Sequence, residues 1–228
     1  MQMPAYWLRR PAARPDRGTV DAFDRLLEQV LSNGPAQPID YRLDAPKWQF
    51  LCHAADRADV VLHGSGDPGI VEFEPRQPAD NLEFSNRNAV FAATDGIWPM
   101  YYAILDRAHY PMRLSNACVR IDSGAGQPDG PYYFFSISRP ALEQQPWRTG
   151  TVYLLPADTF DTQPPITVDN TRIYVAQAAS AVPVKPVAKL SVRPDDLPFL
   201  HQIHGHDDDV LTARMAKDPG GFPWFEES

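Results

Sequence analysis

The chain has 228 residues, 43 % of them apolar and 22 % charged, which suits one generous folded domain and argues against global disorder. Its 24 prolines are about twice the usual ~5 % and count against a helical bundle, because proline removes a backbone donor and clashes inside helices. A net charge of −8 excludes a broad electrostatic grip on nucleic acid.

Residues 1–18 are rich in Pro and Arg, with Arg9, Arg10, Arg14 and Arg17 against one acid, Asp16. They show no period and read as a flexible basic lead. Thr19 is placed to cap a helix over 20–32, where Val20, Phe23, Leu27, Val30 and Leu31 share a face. Asn33-Gly34-Pro35 then supplies a left-handed cap and a stop. A second helix is expected from Asp44 to about Arg57, with Pro46 tolerated in its first turn.

Strand texture follows. Asp59 to His63, Asn88 to Thr94, Pro131 to Ile137, Gly150 to Leu155, Thr171 to Ala176 and Val184 to Val192 are β-favouring. Trp98 to Leu105 reads as helix, and 66–87, 106–130 and 156–170 read as loops. The tail, 201–228, is acidic, with one short helix expected over Val210 to Lys217. The fold class expected is α+β: strand-dominated mixed or antiparallel sheets forming a cleft, preceded by two helices. The domain spans 19–200.

Two cysteines, Cys52 and Cys118, fit neither a disulfide framework nor zinc-ligand spacing. No apolar run approaches the ~20 residues of a membrane span, and the N-terminus lacks a signal-peptide core. The expectation is a cytoplasmic protein without membrane contact; the oligomeric state is not encoded in any feature of the sequence.

The most informative segment is the strand ending in His63-Gly64-Ser65. It sets an imidazole, a residue without a β-carbon and a hydroxyl at a sheet rim. Glycine there lets a ligand approach the backbone, while His and Ser suit sugar hydroxyls. A turn with a capping histidine is the plainer alternative. Downstream lie Ala89-Val90-Phe91-Ala92-Ala93-Thr94 and then Tyr101 and Tyr102 on the next helix. This order, over 59–105 and more loosely 150–192, resembles the ADP-ribosyltransferase-like fold of poly(ADP-ribose) polymerases, rifampicin ADP-ribosyltransferases and RNA 2′-phosphotransferases.

The resemblance implies an NAD-binding core over about 59–192, with NAD as substrate. It implies that His63 and the Gly64 backbone hold the adenosine ribose and the nicotinamide amide, and that Ser65 contacts the nicotinamide ribose. Phe91 stands where many members carry a stacking tyrosine, and a phenyl ring stacks as well. Tyr102, or its neighbour Tyr101, matches the second stacking ring. The late-strand glutamate of protein-modifying members falls near Gln177, which hydrogen-bonds but carries no charge; an ordinary polar plug is the other reading of that residue. The loop 72–88 (Glu72, Glu74, Arg76, Asp80, Glu83, Arg87) lies over the nucleotide in that fold, so Arg76 or Arg87 is a candidate for the pyrophosphate. The acceptor, whether protein or nucleic acid, is not specified.

The alternative is a catalytically inactive interaction module of the same fold, binding a protein partner through Pro131–Phe135 and Phe222-Pro223-Trp224-Phe225. An RNA-processing protein using the basic arm is a third. His201, His204 and His206 beside Asp207–Asp209 read as a charged surface turn rather than a metal cluster. Cys52 reads as core. No phosphate loop, GxGxxG or Gly-x-Ser-x-Gly elbow occurs.

Overall fold

A computed structural model describes residues 3–32, 36–57, 59–77, 84–124, 126–168 and 170–225. Asn33-Gly34-Pro35 and the acids Asp80 and Glu83 lie outside the described residues. In chain order the elements are β1 (Leu8–Arg9), α1 (Arg17–Ser32), β2 (Gln37–Pro38), α2 (Lys47–Asp56), β3 (Val60–Ser65), β4 (Val90–Ala93) and α3 (Trp98–Ile104). There follow β5 (Leu114–Asp122), β6 (Asp129–Ser138), α4 (Arg139–Leu142), β7 (Gly150–Pro156), β8 (Asp161–Thr162) and β9 (Ile166–Val168). The last are β10 (Thr171–Val175), β11 (Gln177–Ser180), β12 (Ala188–Val192), β13 (His204–His206) and α5 (Asp208–Lys217).

The strands form two sheets. A seven-stranded sheet runs β2-β12-β7-β3-β4-β11-β8, antiparallel except for the β12–β2 pair. A six-stranded sheet runs β1-β6-β5-β10-β9, with β13 added parallel to β6. The α+β reading therefore holds. Helix α3 packs on β3 and β7 of the first sheet and reaches the second, where Tyr101 donates its hydroxyl to the Ser136 carbonyl (2.9 Å). The approach to β3 and β7 is so close that side chains are excluded. A Cβ at Gly64 would fall 1.8 Å from the Pro99 carbonyl oxygen, and one at Gly150 would fall 1.9 Å from that of Ala103.

Helices α1 and α2 bury Phe23, Leu27, Phe50 and Leu51 in the same core. Asp16, rather than Thr19, caps α1: its Oδ1 accepts from the Thr19 N–H (2.7 Å). The second helix begins at Lys47, after Pro46. Among the described residues no helix is long and apolar enough to cross a membrane.

Three expectations change. The basic lead is anchored from Tyr6 onward: β1 pairs with β6, and the rings of Tyr6 and Trp7 each lie 5.9 Å from Phe134. Arg10 donates to Asp95 (2.5 Å) in an ion pair whose acid is 2 % exposed, and Arg9 pairs with Asp129. The acidic tail is likewise structured. His204–His206 is a strand instead of a surface turn, His206 is buried, and Phe222 and Phe225 pack on Phe134 (6.0 and 5.5 Å). Finally, 106–130 holds β5, a strand of nine residues, and the start of β6 instead of a loop.

These packings reduce the surfaces assigned above to partners. Tyr133, Phe134 and Phe135 are fully buried: Phe222 and Phe225 cover Phe134, whereas Tyr133 and Phe135 face the core beside Tyr101 and Phe199, and of the tail rings Phe222 stays exposed. Arg9 and Arg10 of the supposed nucleic-acid arm are both held in ion pairs.

Candidate functional site

The seven-stranded sheet is open near its middle. Strand β3 pairs with β7 along its whole length, from Val60–Pro156 to Ser65–Thr151. On its other side it pairs with β4 only at Leu62–Ala93. Past Leu62 the two strands separate, so backbone facing β4 lacks a ladder partner there. His63 bridges the gap: its Nδ1 lies 2.7 Å from the Phe91 carbonyl oxygen. That contact requires an Nδ1–H donor, leaving Nε2 as the acceptor in the neutral ring. Burial pushes the imidazole pKa down, with the Arg76 charge adding to it and the Phe91 bond opposing.

A cleft of about 550 Å³ lies at this opening, lined by His63, Gly64, Ser65, Phe91, Tyr102 and Gln177 among others. The volume is in the range of about 300–1,000 Å³ typical of small-molecule sites. Side chains alternate across a strand: Leu62 and Ala93 belong to the core around α3, whereas Val61, Ala92 and Phe73 belong to the small cluster on the opposite face. His63 stands on that opposite face, 4.7 Å from the Phe73 ring. Phe91 and Gln177 share the α3 side with Ala93. Groups from both faces border one cleft because the ladder between β3 and β4 is missing.

Tyr102 is half-buried, and its hydroxyl donates to Asn116 Oδ1 (2.7 Å), which also accepts from Trp98 Nε1 (2.6 Å). Asn116 on β5 thereby fixes the Trp98 and Tyr102 rings of α3. The start of α3 is fixed by Asp95, whose Oδ1 accepts from the N–H groups of Ile97 and Trp98 (2.8 and 2.9 Å). Its Oδ2 accepts from Arg10 and from the Tyr133 hydroxyl (2.5 and 2.8 Å). Gln177 holds Ser85, whose hydroxyl donates to Gln177 Oε1 (2.9 Å). Ser65 Oγ accepts from the Asp67 N–H (3.1 Å).

Three assigned residues are elsewhere. Tyr101 is fully buried, stacked on Phe135 at 4.8 Å, because one step along the helix turns it into the core. Arg76 is exposed and is not among the cleft-lining residues; its backbone pairs with Ala89. Arg87 lies over the Phe84 ring, 4.9 Å from its centroid. Gly64 also changes meaning: its missing side chain is required by the Pro99 carbonyl, whatever the backbone does toward a ligand.

The cations that do line the cleft are Arg107 and Arg148, against one lining acid, Asp67. The Arg148 guanidinium lies so close to Gly66 that a Cβ there would fall 3.0 Å from Nη1. Sequence reasoning missed both arginines. Arg148 arrives through the Leu105–Trp147 bridge and a bond from its own N–H to the Ile104 carbonyl (2.8 Å), pairings with no local sequence signal. Among the described residues no group of three or more His, Cys, Asp or Glu is arranged to hold a metal. Cys52 and Cys118 are buried, and burial raises both thiol pKa values, as inert core thiols. Compared with known proteins, the chain matches no family model, no curated protein and no solved structure.

Proposed function

We propose that the cleft binds a dinucleotide of the NAD type and that the protein is an ADP-ribosyltransferase-like enzyme. The observation that carries this reading is the meeting of His63, Gly64, Ser65, Phe91, Tyr102 and Gln177 around one opening in a sheet. Arg107 and Arg148 strengthen it. In a chain of net charge −8, two guanidinium groups facing one carboxylate favour an anionic ligand such as a pyrophosphate.

In this reading nicotinamide stacks between Phe91 and Tyr102, His63 Nε2 accepts from a ribose hydroxyl, and Ser65 meets the second ribose. The C1′–N bond breaks with its electron pair staying on nicotinamide, which leaves neutral. Positive charge then spreads over C1′ and the ring oxygen until an acceptor lone pair attacks and the acceptor loses its proton. Water as acceptor gives ADP-ribose; another nucleophile gives a transfer product. Gln177 offers that centre an amide dipole, not a charge.

One observation favours a second reading, a nucleotide-binding interaction module without turnover: the position expected to hold an acid is a glutamine engaged by Ser85. The two part on a single measurement, nicotinamide release from NAD by the wild type and by Gln177→Glu. Release by the wild type supports the enzyme. Binding without release, converted to release by the substitution, supports the module.

Binding itself is tested by thermal denaturation with NAD, ADP-ribose and nicotinamide. A ligand at 100 times its Kd stabilises by about 2.7 kcal/mol, so NAD is expected to raise the Tm clearly. His63→Asn keeps an amide donor for the Phe91 carbonyl and removes the Nε2 acceptor, so it is expected to weaken NAD at least about tenfold. No shift with any of the three compounds, or unchanged affinity in His63→Asn, overturns the proposal.

A further inference from the structure

A second concavity, of about 260 Å³, lies on the other sheet, on the face of β6 turned away from α3. Its lining includes three polar side chains that are more than nine-tenths buried: Ser115 on β5, Ser136 on β6 and His206 on β13 are 7 %, 1 % and 6 % exposed. Ser136 Oγ lies 2.6 Å from His206 Nδ1 and 3.2 Å from the His204 carbonyl oxygen, so it is accounted for. Ser115 Oγ has no hydrogen-bond partner. His206 Nε2 lies 3.2 Å from Asp208 Oδ1 in a geometry that makes no hydrogen bond. Buried polar groups in folded proteins are nearly always paired, and an unpaired hydroxyl in the lining of a hollow marks the place of a missing partner.

The rest of the lining narrows what that partner is. Trp224 and Phe225 offer apolar surface, with the fully buried Phe134 ring beneath Phe225. Arg139 is exposed, and its guanidinium makes one long bond, to the Gly205 carbonyl (3.4 Å), leaving donors in the fork geometry that suits a carboxylate. Asp207 adds a carboxylate of its own, one oxygen of which caps α5. Charges of both signs, a hydroxyl and aromatic rings around a small volume match a zwitterion with an apolar body.

We propose that this pocket binds a free α-amino acid with an apolar side chain. Its carboxylate meets Arg139, its ammonium meets Asp207, its polar head reaches the Ser115 hydroxyl, and its side chain lies along Trp224 and Phe225. The site is independent of the cleft between β3 and β4.

The test is isothermal titration of the full chain with L-phenylalanine and L-leucine, beside 3-phenylpropionate (no ammonium) and phenethylamine (no carboxylate). Saturable binding of at least one amino acid is expected. It should weaken at least about tenfold in Ser115→Ala and in Arg139→Gln, be weaker by as much for either half-ligand, and be unaffected by His63→Asn. Ser115→Ala deletes an unpaired hydroxyl, so its Tm should not fall, and Arg139 is exposed, so neither variant depends on a repaired core. No saturation by either amino acid up to about 10 mM, equal affinity in both variants, or equal affinity for 3-phenylpropionate overturns the proposal.

Discussion

The two sheets treat their central strands differently. In the six-stranded sheet β5 and β6 are paired from Leu114–Ile137 to Ile121–Asp129, and Tyr133, Phe135 and Ile137 are fully buried against α3 and the core around it. In the seven-stranded sheet β3 and β4 meet at Leu62–Ala93 and then diverge. The first arrangement satisfies backbone groups within the ladder and secures the fold. The second leaves backbone and side-chain groups at an opening, where a ligand can use them. The opening is tolerable because β3 keeps a complete ladder with β7. Stability and binding are thus divided between strands rather than traded off within one.

The most severe way to break this division is to push α3 off β3. In Gly64→Val the first side-chain atom alone would sit 1.8 Å from the Pro99 carbonyl oxygen, and a backbone carbonyl cannot swing aside. A loss of more than about 3 kcal/mol is expected, read as a fall in the denaturant midpoint; a near-native midpoint would show that α3 shifts freely. Next in size is Arg10→Met, which leaves Asp95 buried with one charge partner gone. The expected cost is about 3 kcal/mol, the low end for a broken buried pair, because Asp95 keeps its bonds from Ile97, Trp98 and Tyr133. Replacing Asp95 as well should recover part of that cost in a double-mutant cycle.

His63→Ala is smaller. It strands the Phe91 carbonyl and should cost about 1–3 kcal/mol, whereas His63→Asn should cost less while losing NAD equally. Equal destabilisation by the two would make the ring's packing on Phe73, not the bond across the gap, the stabilising element.

The gentlest probe is pH. Burial is the first cause lowering both His63 and His206 below the ordinary 6.5; Arg76 adds to it at His63 and Arg113 at His206, with the Phe91 bond and Asp208 opposing. The unfolded chain then binds more protons, so stability is full above about pH 6.5 and declines below it until the folded values are passed. The slope is at most about 1.4 kcal/mol per pH unit for each ring. Melting from about pH 8 to about pH 5 should show this decline, flattened by His206→Asn. A profile flat across that interval would mean that neither ring is protonated more easily in the unfolded chain.

Much of this was legible in the residues. Periodic apolar spacing placed α1, α2 and α3 within a few residues, and β-branched or aromatic runs located β3, β4, β6, β7, β10 and β12. The order of motifs in the sequence groups His63, Gly64, Ser65, Phe91, Tyr102 and Gln177, and all six border one cleft. What escaped depended on distant partners. Strand β5 carries Ser115, Asn116 and Ala117, residues with weak strand preference, and exists because β6 and β10 flank it. Tyr101 and Tyr102 differ by one helical step, which spacing alone does not orient. Arg10 looked solvated because its partner, Asp95, lies 85 residues downstream, and Arg148 reaches the cleft only through the pairing at Trp147.

Strand β13 closes part of β6 from far along the chain: His204 follows Ser136 by 68 residues. At about 5–20 residues per second of synthesis, that stretch of β6 stays bare on a ribosome for several seconds after it is made. Until the later segment emerges, the bare edge is a template for pairing with neighbouring nascent chains. Slower elongation between these two segments therefore lengthens the hazard, and recovery of soluble protein from cells should track translation speed over that interval.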